Sequence, residues 1–369
     1  MELTGNSDLS PPADQELEFS LFGPRYGESA LLHYGFGRWL VIDSCLAKSG
    51  RPAALEYLRT LGVNPGRSVR FVLASHFDDD HIRGLSEILR ESENARFSVS
   101  SAMSREEFQA FLKPSMALSA SFPGGASELG KCLQIVKSRA GKGLTAASAN
   151  KVIFRDARNS IQLVEVIALT PSDELVARTI NNLVGLRPDG PRVRMTFKNN
   201  DVSVVTQINV GPVQILHGAD LERRADGSIG WLGILDDPDR SPINASLYKI
   251  SHHGSENGDH DRIWAELVGA DSPAALAPFS KGSGLPSQAD KERMLARGNS
   301  IYSSTKVVRK RKKFADNTIR RALKDGNIKA WESNGLPGQI RFRRPVAVDG
   351  AFDIALFGDA CELRNVVTP

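Results

Sequence analysis

The chain predicts a layered α/β fold. Apolar and β-branched runs recur along its 369 residues between turn residues and alternate with amphipathic stretches, a pattern of strands and helices stacked in layers rather than of an all-helical or all-β domain. Two hairpin strands precede the first helix, and no GxGxxG follows the first strand, which argues against a dinucleotide-binding start. A hydrophobic content of 41% suits one large globular domain or two ordinary ones.

Taken in order, "ELEFSLFG", "ESALLHYG" and "GRWLVIDS" read as three early strands, with "GFG" turning the second into the third. "PAALEYLRTLGV" follows as a helix, "VRFVLAS" as a strand, and "DHIRGLSEILRES" as one helix that opens inside a run of aspartates. Between 91 and 160, "REEFQAFLK" and "SELGKCLQIVKSR" predict helices on either side of the turn-rich "SFPGGA", so this stretch is expected to be an inserted, largely helical cap. "IQLVEVIAL" returns to strand. "TPSDELVARTINNLV" is a helix with Thr170 as N-cap, Pro171 in the first position and Asp173 in the capping-box position. "VSVVTQINV", "VQILHG", "ASLYKIS", "PAALAPF" and "GQIRFRR" complete the strands. Residues 1–15 are expected to be loose, 16–345 to form the domain, and 346–369 to extend beyond it.

The net charge of +4 is unevenly spread: residues 305–344 carry 13 Lys/Arg against three acidic residues, which leaves the remainder at −6. Such a run is most often a solvated face, but it also suits a polyanionic partner. If Asp316 to Lys324 is helical, Arg320, Arg321 and Lys324 share one side while Ile319 and Leu323 bury the other. Lys310, Arg311, Lys312 and Lys313 precede them, and together these side chains are candidates for contacts to nucleic-acid phosphates. The basic core lacks interleaved aromatic residues, which gives no support to base stacking there. Cys45, Cys132 and Cys361 are odd in number and widely spaced, without a CxxC, so neither a disulfide framework nor a thiolate zinc site is suggested. With no basic-then-apolar leader and no run approaching ~18 apolar residues, a cytoplasmic location away from membranes is expected.

Chemistry concentrates in "SHFDDDHIRG", Ser75 to Gly84, where two histidines and three aspartates occupy six positions after the apolar "VRFVLA". In extended chain alternate side chains share a face, so His76, Asp78 and Asp80 can converge while the turn into a helix aims Asp80 and His81 at different points. A solvated helix start would account for one aspartate. It does not account for two flanking histidines, nor for the return of the same residue types after two later strands, in "VQILHGADLE" with Asp220 and "LYKISHHGSENG" with His252 and His253. Imidazole and carboxylate without thiolate suit Zn²⁺ or Mn²⁺.

The order of these motifs, hairpin strands ending "VIDS", then "SHxDxDHxxG", a strand with "GAD", and "KISHHGS", resembles the metallo-β-lactamase superfamily. It is most similar to the hydrolase domain of ComEC-type DNA-uptake proteins and their free-standing relatives, some of them in antiphage defence systems. The resemblance covers roughly residues 19–344 and is loose over 91–160. It implies a metallo-β-lactamase αβ/βα four-layer sandwich with a helical insertion, metals at the sheet edges, and hydrolysis of nucleic-acid phosphodiesters. Carried over, one metal site comprises Asp80, His81, a bridging Asp220 and one of His252 or His253, and the other keeps His76, Asp78 and the bridge. The family's usual HxHxDH has Asp78 in place of its second histidine here, and no histidine lies between His81 and His217 to complete that other site.

One divalent ion against Asp78, Asp80 and Asp220 leaves −1, whereas two leave +1, so two ions are expected for an anionic substrate. A metal-bound hydroxide is then the expected nucleophile, since coordination brings a water's pKa to about 7. His217 is a candidate late ligand or proton donor to the leaving group, with an ordinary strand histidine as the alternative. Asp43 matches the family's early aspartate that supports the ligand loop; Gly84 allows close packing at the helix start; Ser255 is expected to cap the next helix. The competing expectations are a small-ester or thioester hydrolase, and a metal-bound interaction module that pairs with a partner protein of a defence operon.

Overall fold

A computed structural model describes residues 9–23, 26–110, 124–139, 143–157, 163–184, 199–282, 284–306, 310–311, 316–326, 331–332, 338–348 and 350–368. Two eight-stranded sheets form its body. The first takes β1 (Glu16–Gly23), β2 (Ser29–His33), β3 (Trp39–Ile42), β4 (Val69–Ala74), β5 (Arg96–Ser100) and β6 (Leu144–Ala147) in sequence order. The second takes β7 (Lys151–Asp156), β8 (Val164–Ala168), β9 (Thr206–Val210), β10 (Val213–His217), β11 (Leu247–Lys249), β12 (Ala274–Leu276) and β13 (Ile301–Ser303). A small ribbon pairs β14 (Lys310–Arg311) with β15 (Trp331–Glu332). β16 (Gly338–Pro345) and β17 (Asp353–Phe357) then return to the first sheet beside β1, and β18 (Cys361–Glu362) closes the second beside β13.

Three apolar layers hold this arrangement together. Between the sheets, Leu17, Phe19, Leu32, Leu40 and Phe71 of the first meet Val166, Ile208, Ile215 and Leu247 of the second. On the outer face of the first sheet, Val41, Val72 and Phe97 pack on Leu55 and Leu58 of helix Ala53–Thr60, Ile88 of helix Leu85–Glu91 and Leu133 of helix Gly125–Ser138. On the outer face of the second, Leu216, Tyr248 and Leu276 pack on Trp231, Ile263 and Met294. The layers are therefore helix, sheet, sheet, helix: the αβ/βα sandwich. β3 to β6 run parallel, as do β10 to β13, and the unbroken apolar runs of β3 (WLVI) and β12 (AAL) follow from being covered on both faces.

Several local expectations are corrected. Residues 91–160 do hold helix Gly125–Ser138, but they also contribute β5 and β6 to the first sheet and β7 to the edge of the second, so the segment is woven into the sandwich rather than set over it; residues 111–123 lie outside the described set. At five and four residues, the strands "RFSVS" and "LTAA" are too short to stand out beside the helical period around them. Residues 346–369 are not an appendage, because β17 and β18 finish both sheets. The helix expected to run on from the aspartates is broken at Gly84 (φ 82) into Asp79–Ile82 and Leu85–Glu91. Thr170 does not cap: its hydroxyl donates to the Ser203 carbonyl at 2.6 Å and accepts from Val205 N–H, and the helix opens only at Asp173.

The basic segment divides in two. Arg341 and Arg344 lie inward over the rings of Phe357 and Phe352, and buried Arg343 pairs with Glu18 at 2.7 Å, so part of the charge counted in the sequence is structural. Helix Asn317–Asp325 is capped by Asp316, whose carboxylate accepts from Thr318 N–H at 2.6 Å. Its Ile319 is exposed rather than buried. Cys45 and Cys132 are buried, and all three cysteines are free thiols. Among the described residues no helix is long and apolar enough to cross a membrane.

Candidate metal centre

The apolar strand β4 ends at Ala74 and delivers Ser75 and His76, both fully buried, to the rim shared by the two sheets. Asp43, just past the end of β3, organises the loop from the left-handed region (φ 61). Its carboxylate accepts from Ser75 N–H at 2.7 Å, from the Ser75 hydroxyl at 2.6 Å and from His81 Nδ1 at 2.8 Å. That last bond fixes the His81 tautomer and turns Nε2 toward the second sheet, a common way to orient a metal-binding imidazole. On the second sheet His253 Nδ1 donates to the Ala277 carbonyl at 2.8 Å, leaving its Nε2 to face inward as well.

The result is a compact set. His81 Nε2 lies 3.2 Å from Asp220 Oδ1, and His253 Nε2 lies 3.2 Å from Asp80 Oδ2 and 3.3 Å from Asp220 Oδ2. Ligand atoms of Asp80, His81, Asp220 and His253 all fall within 4.8 Å of one another, and all four residues are buried. His81 Nε2 and Asp220 Oδ1 are buried and make no well-formed hydrogen bond, so their desolvation is offset by their mutual charge or by a shared cation. Burial works against charge on His81, yet Asp220 and Glu28 hold its pKa well above the ordinary value; His253 is carried up to about 10 against burial by Asp220 and then Asp80. The Asp220 carboxyl is held well below its usual range against burial, first by His81 and then by His253. The pocket thus favours positive charge strongly, and two imidazoles with two carboxylates are a donor set that fits a divalent ion.

The other residues of the motif gather less closely. His76 Nε2 is buried without a hydrogen-bond partner and lies 3.8 Å from Asp78 Oδ2, while His76 Nδ1 contacts the Ser75 hydroxyl at 3.0 Å. Asp78 is partly exposed, and its Oδ1 accepts from the Asn199 amide. His252 is turned away from the four-residue set: its Nδ1 lies 3.0 Å from Asn257 Oδ1 and from the Ser255 hydroxyl, and its Nε2 lies 3.3 Å from the Asn200 amide. The choice between the paired histidines left open by the sequence is therefore made by geometry, with His253 in the cluster. Ser255 caps no helix and instead hydrogen-bonds within this turn. Gly84 does pack closely, since a Cβ there would lie 2.9 Å from both Leu46 Cδ2 and Pro52 Cγ. Asp43, Ala219, His252 and His253 all adopt positive φ, so backbone strain is concentrated at this rim, as it often is at functional sites.

His217 ends β10 in full burial, and burial followed by the charge of Lys249 pushes its pKa down to about 3. Burial and Lys249 thus favour its neutral form. Lys310 and Arg311 stand in the β14 ribbon, Lys312 and Lys313 lie outside the described residues, and Arg320 and Arg321 project from an exposed helix.

Two residues that sequence reasoning passed over sit directly behind the cluster. Lys249 and Glu28 are both buried and ion-paired through Nζ and Oε1. Glu28 oxygens lie 3.6 Å from His81 Nδ1 and from His253 Nδ1, and Lys249 Nζ lies 4.0 Å from Asp220 Oδ1. A lysine inside the otherwise largely apolar "LYKIS", at the end of β11, was the available signal, because such a charge is not buried unpaired.

No family model matches the chain, and no curated protein does. Solved structures that resemble it include the metallo-β-lactamase fold protein YhfI from Bacillus subtilis, at 12% identity and TM-score 0.34 over 70% of this chain and 85% of that one. Zn²⁺-bound PqqB from Methylobacterium extorquens gives 11% and 0.38 over 75% and 86%. The metallo-β-lactamase SMB-1 bound to 2-mercaptoethanesulfonate gives 13% and 0.34 over 70% and 87%. Likenesses this distant concern the arrangement of sheets and helices and carry no chemistry across.

Proposed function

We propose that the chain is a metal-dependent hydrolase of phosphodiester bonds, with DNA or RNA as substrate. The observation that carries this reading is the buried convergence of Asp80, His81, Asp220 and His253 from two sheets, with ligand atoms within 4.8 Å of one another. These four would hold one ion, and His76 and Asp78 with Asp220 would hold a second. A bound divalent ion, Zn²⁺ or Mn²⁺, supplies a water acidic enough to be a nucleophile near neutral pH and stabilises charge on the leaving oxygen. Asp43 and the Ala277 carbonyl orient the two imidazoles, and the sandwich excludes water from their far sides.

An anionic substrate suits a site where Asp78, Asp80 and Asp220 are offset by two divalent ions, and the excess of Lys and Arg in 305–344 suits a polyanionic partner. The motif resemblance to ComEC-type hydrolase domains supports nucleic acid over a lactam or thioester. It extends the proposal to a cytoplasmic role in antiphage defence beside a partner protein of the same operon.

Metal-stripped protein reloaded with Zn²⁺ or Mn²⁺ should cleave at least one of plasmid, single-stranded DNA, RNA or a cyclic nucleotide. Asp220→Ala should lower that rate by about a hundredfold or more, since even outer partners of metal ligands cost ~10–100-fold. A rate unchanged in Asp220→Ala would assign the activity to a contaminant, and no cleavage with either metal would overturn the proposal.

A further inference from the structure

We infer that Tyr26, Arg83 and Lys281 form a docking ledge for single-stranded nucleic acid, taking the phosphate and the unstacked base next to the bond being cut. The inference rests on the phosphodiesterase reading and gives it a strand preference. A continuous line of rings leads outward from the metal centre. Phe279 stacks on His253 with centroids 5.1 Å apart and planes within 20°, and Tyr26 lies 5.7 Å beyond Phe279. Two cations converge on the Tyr26 ring, Lys281 Nζ at 3.8 Å and the Arg83 guanidinium at 5.1 Å from its centroid.

Three separate chain segments are built to bring these groups together. Gly27 (φ 94) presses the Tyr26 segment against the ligand loop: a Cβ there would lie 2.8 Å from the Asp80 carbonyl, and Glu28 N–H donates to the same carbonyl at 2.9 Å. Phe279 and Leu285 exchange backbone hydrogen bonds of 2.8 and 2.7 Å, and Gly284 N–H donates to the Lys281 carbonyl at 3.0 Å, so Lys281 stands on a closed turn. Arg83 directly follows the helical turn that carries Asp80 and His81.

A surface cation resting on an aromatic ring is commonplace and worth ~0.5–1 kcal/mol. Two beside one ring make a locally positive patch that suits an anion. Asp79 pairs with Arg83 at 3.0 Å, while Lys281 has no ion-pair partner among the described residues. A phosphate oxyanion that draws exposed Lys281 off the ring would gain a charge-assisted hydrogen bond from it beside the Arg83 charge, and the half-buried Tyr26 ring so uncovered offers a face on which any base can stack. Stacking between neighbouring base pairs in a duplex would keep its bases from that ring, so the ledge selects single strands. The aromatic contribution that is missing from the basic segment is thus supplied beside the site itself.

The test uses the metal-loaded full chain and fluorescein-labelled hexathymidylate, read by fluorescence anisotropy at several salt concentrations. Tyr26→Ala and Lys281→Glu should each weaken binding tenfold or more, and Lys281→Ala should reduce the slope of log affinity on log salt by ~0.7. A hexamer duplex should bind at least tenfold more weakly than the single strand. The ledge is refuted if the variants bind within twofold of the wild type, if wild type fails to bind the hexamer, or if duplex binds as well. Melting temperature checks folding, and Lys281 is exposed on its turn. Turnover of bis(p-nitrophenyl) phosphate is measured separately: its absence would sink the phosphodiesterase reading while the binding data still judge the ledge.

Discussion

At the scale of single residues, the Glu28–Lys249 pair sets the charge that the cluster feels. Removing Lys249 leaves the Glu28 carboxylate uncompensated 3.6 Å from two imidazoles, and removing the Glu28 charge leaves an ammonium 4.0 Å from Asp220. At an effective dielectric of about 20, a charge 4 Å away is worth up to ~4 kcal/mol. Lys249→Met should therefore tighten Zn²⁺ binding and Glu28→Gln should weaken it, each by about tenfold, with the double variant near wild type, as measured by chelator competition. A purely structural pair would weaken binding in both single variants. Each single variant also leaves a buried charge unpaired at a cost of ~3–5 kcal/mol, and the double variant is free of that burden. The candidate ligands between His76 and His81 were legible in the sequence because their spacing is local. Glu28 was not, since its importance comes from partners met only after a long stretch of chain has folded back over it.

At the scale of elements, the first hairpin carries a built-in pH response. His33 on β2 is buried between two backbone groups: its Nδ1 lies 2.8 Å from the Glu16 carbonyl, and Nε2 accepts from Gly37 N–H at 3.1 Å. Protonating Nε2 would destroy the second bond. Burial, with the charge of Arg343 acting in the same sense, lowers the pKa from 6.5 to about 4 against the Glu16 hydrogen bond, which raises it. A value lowered on folding means that stability is complete above pH 6.5 and is lost as the pH falls toward 4, by on the order of 3 kcal/mol. Urea midpoints at pH 7 and 4.5 should fall further for wild type than for His33→Gln; equal falls would refute this. Long periodic elements such as β1, β4 and helix Ala53–Thr60 could be read directly. The break at Gly84 could not, because a glycine within a helical pattern is usually tolerated, and the side chains of Leu46 and Pro52 that leave no room for a Cβ there lie far away in the sequence.

At the scale of the whole molecule, the sandwich followed from the order of the motifs, while the return of β16 to pair with β1 along Glu16 to Gly23 did not. Nothing local in "GQIRFRR" names a partner more than 300 residues earlier. The cluster also divides its ligands, Asp80 and His81 following a strand of one sheet and Asp220 and His253 following strands of the other. Added Zn²⁺ should therefore raise the melting temperature, with ~2.7 kcal/mol gained at a hundredfold excess over Kd, and Asp220→Ala should abolish the gain; an unchanged melting temperature in wild type would count against a bound ion. An ion there would act as a rivet through the seam between two slabs. Anything that pried the slabs apart, even at the far edge, would loosen its grip on the metal before it unfolded either one.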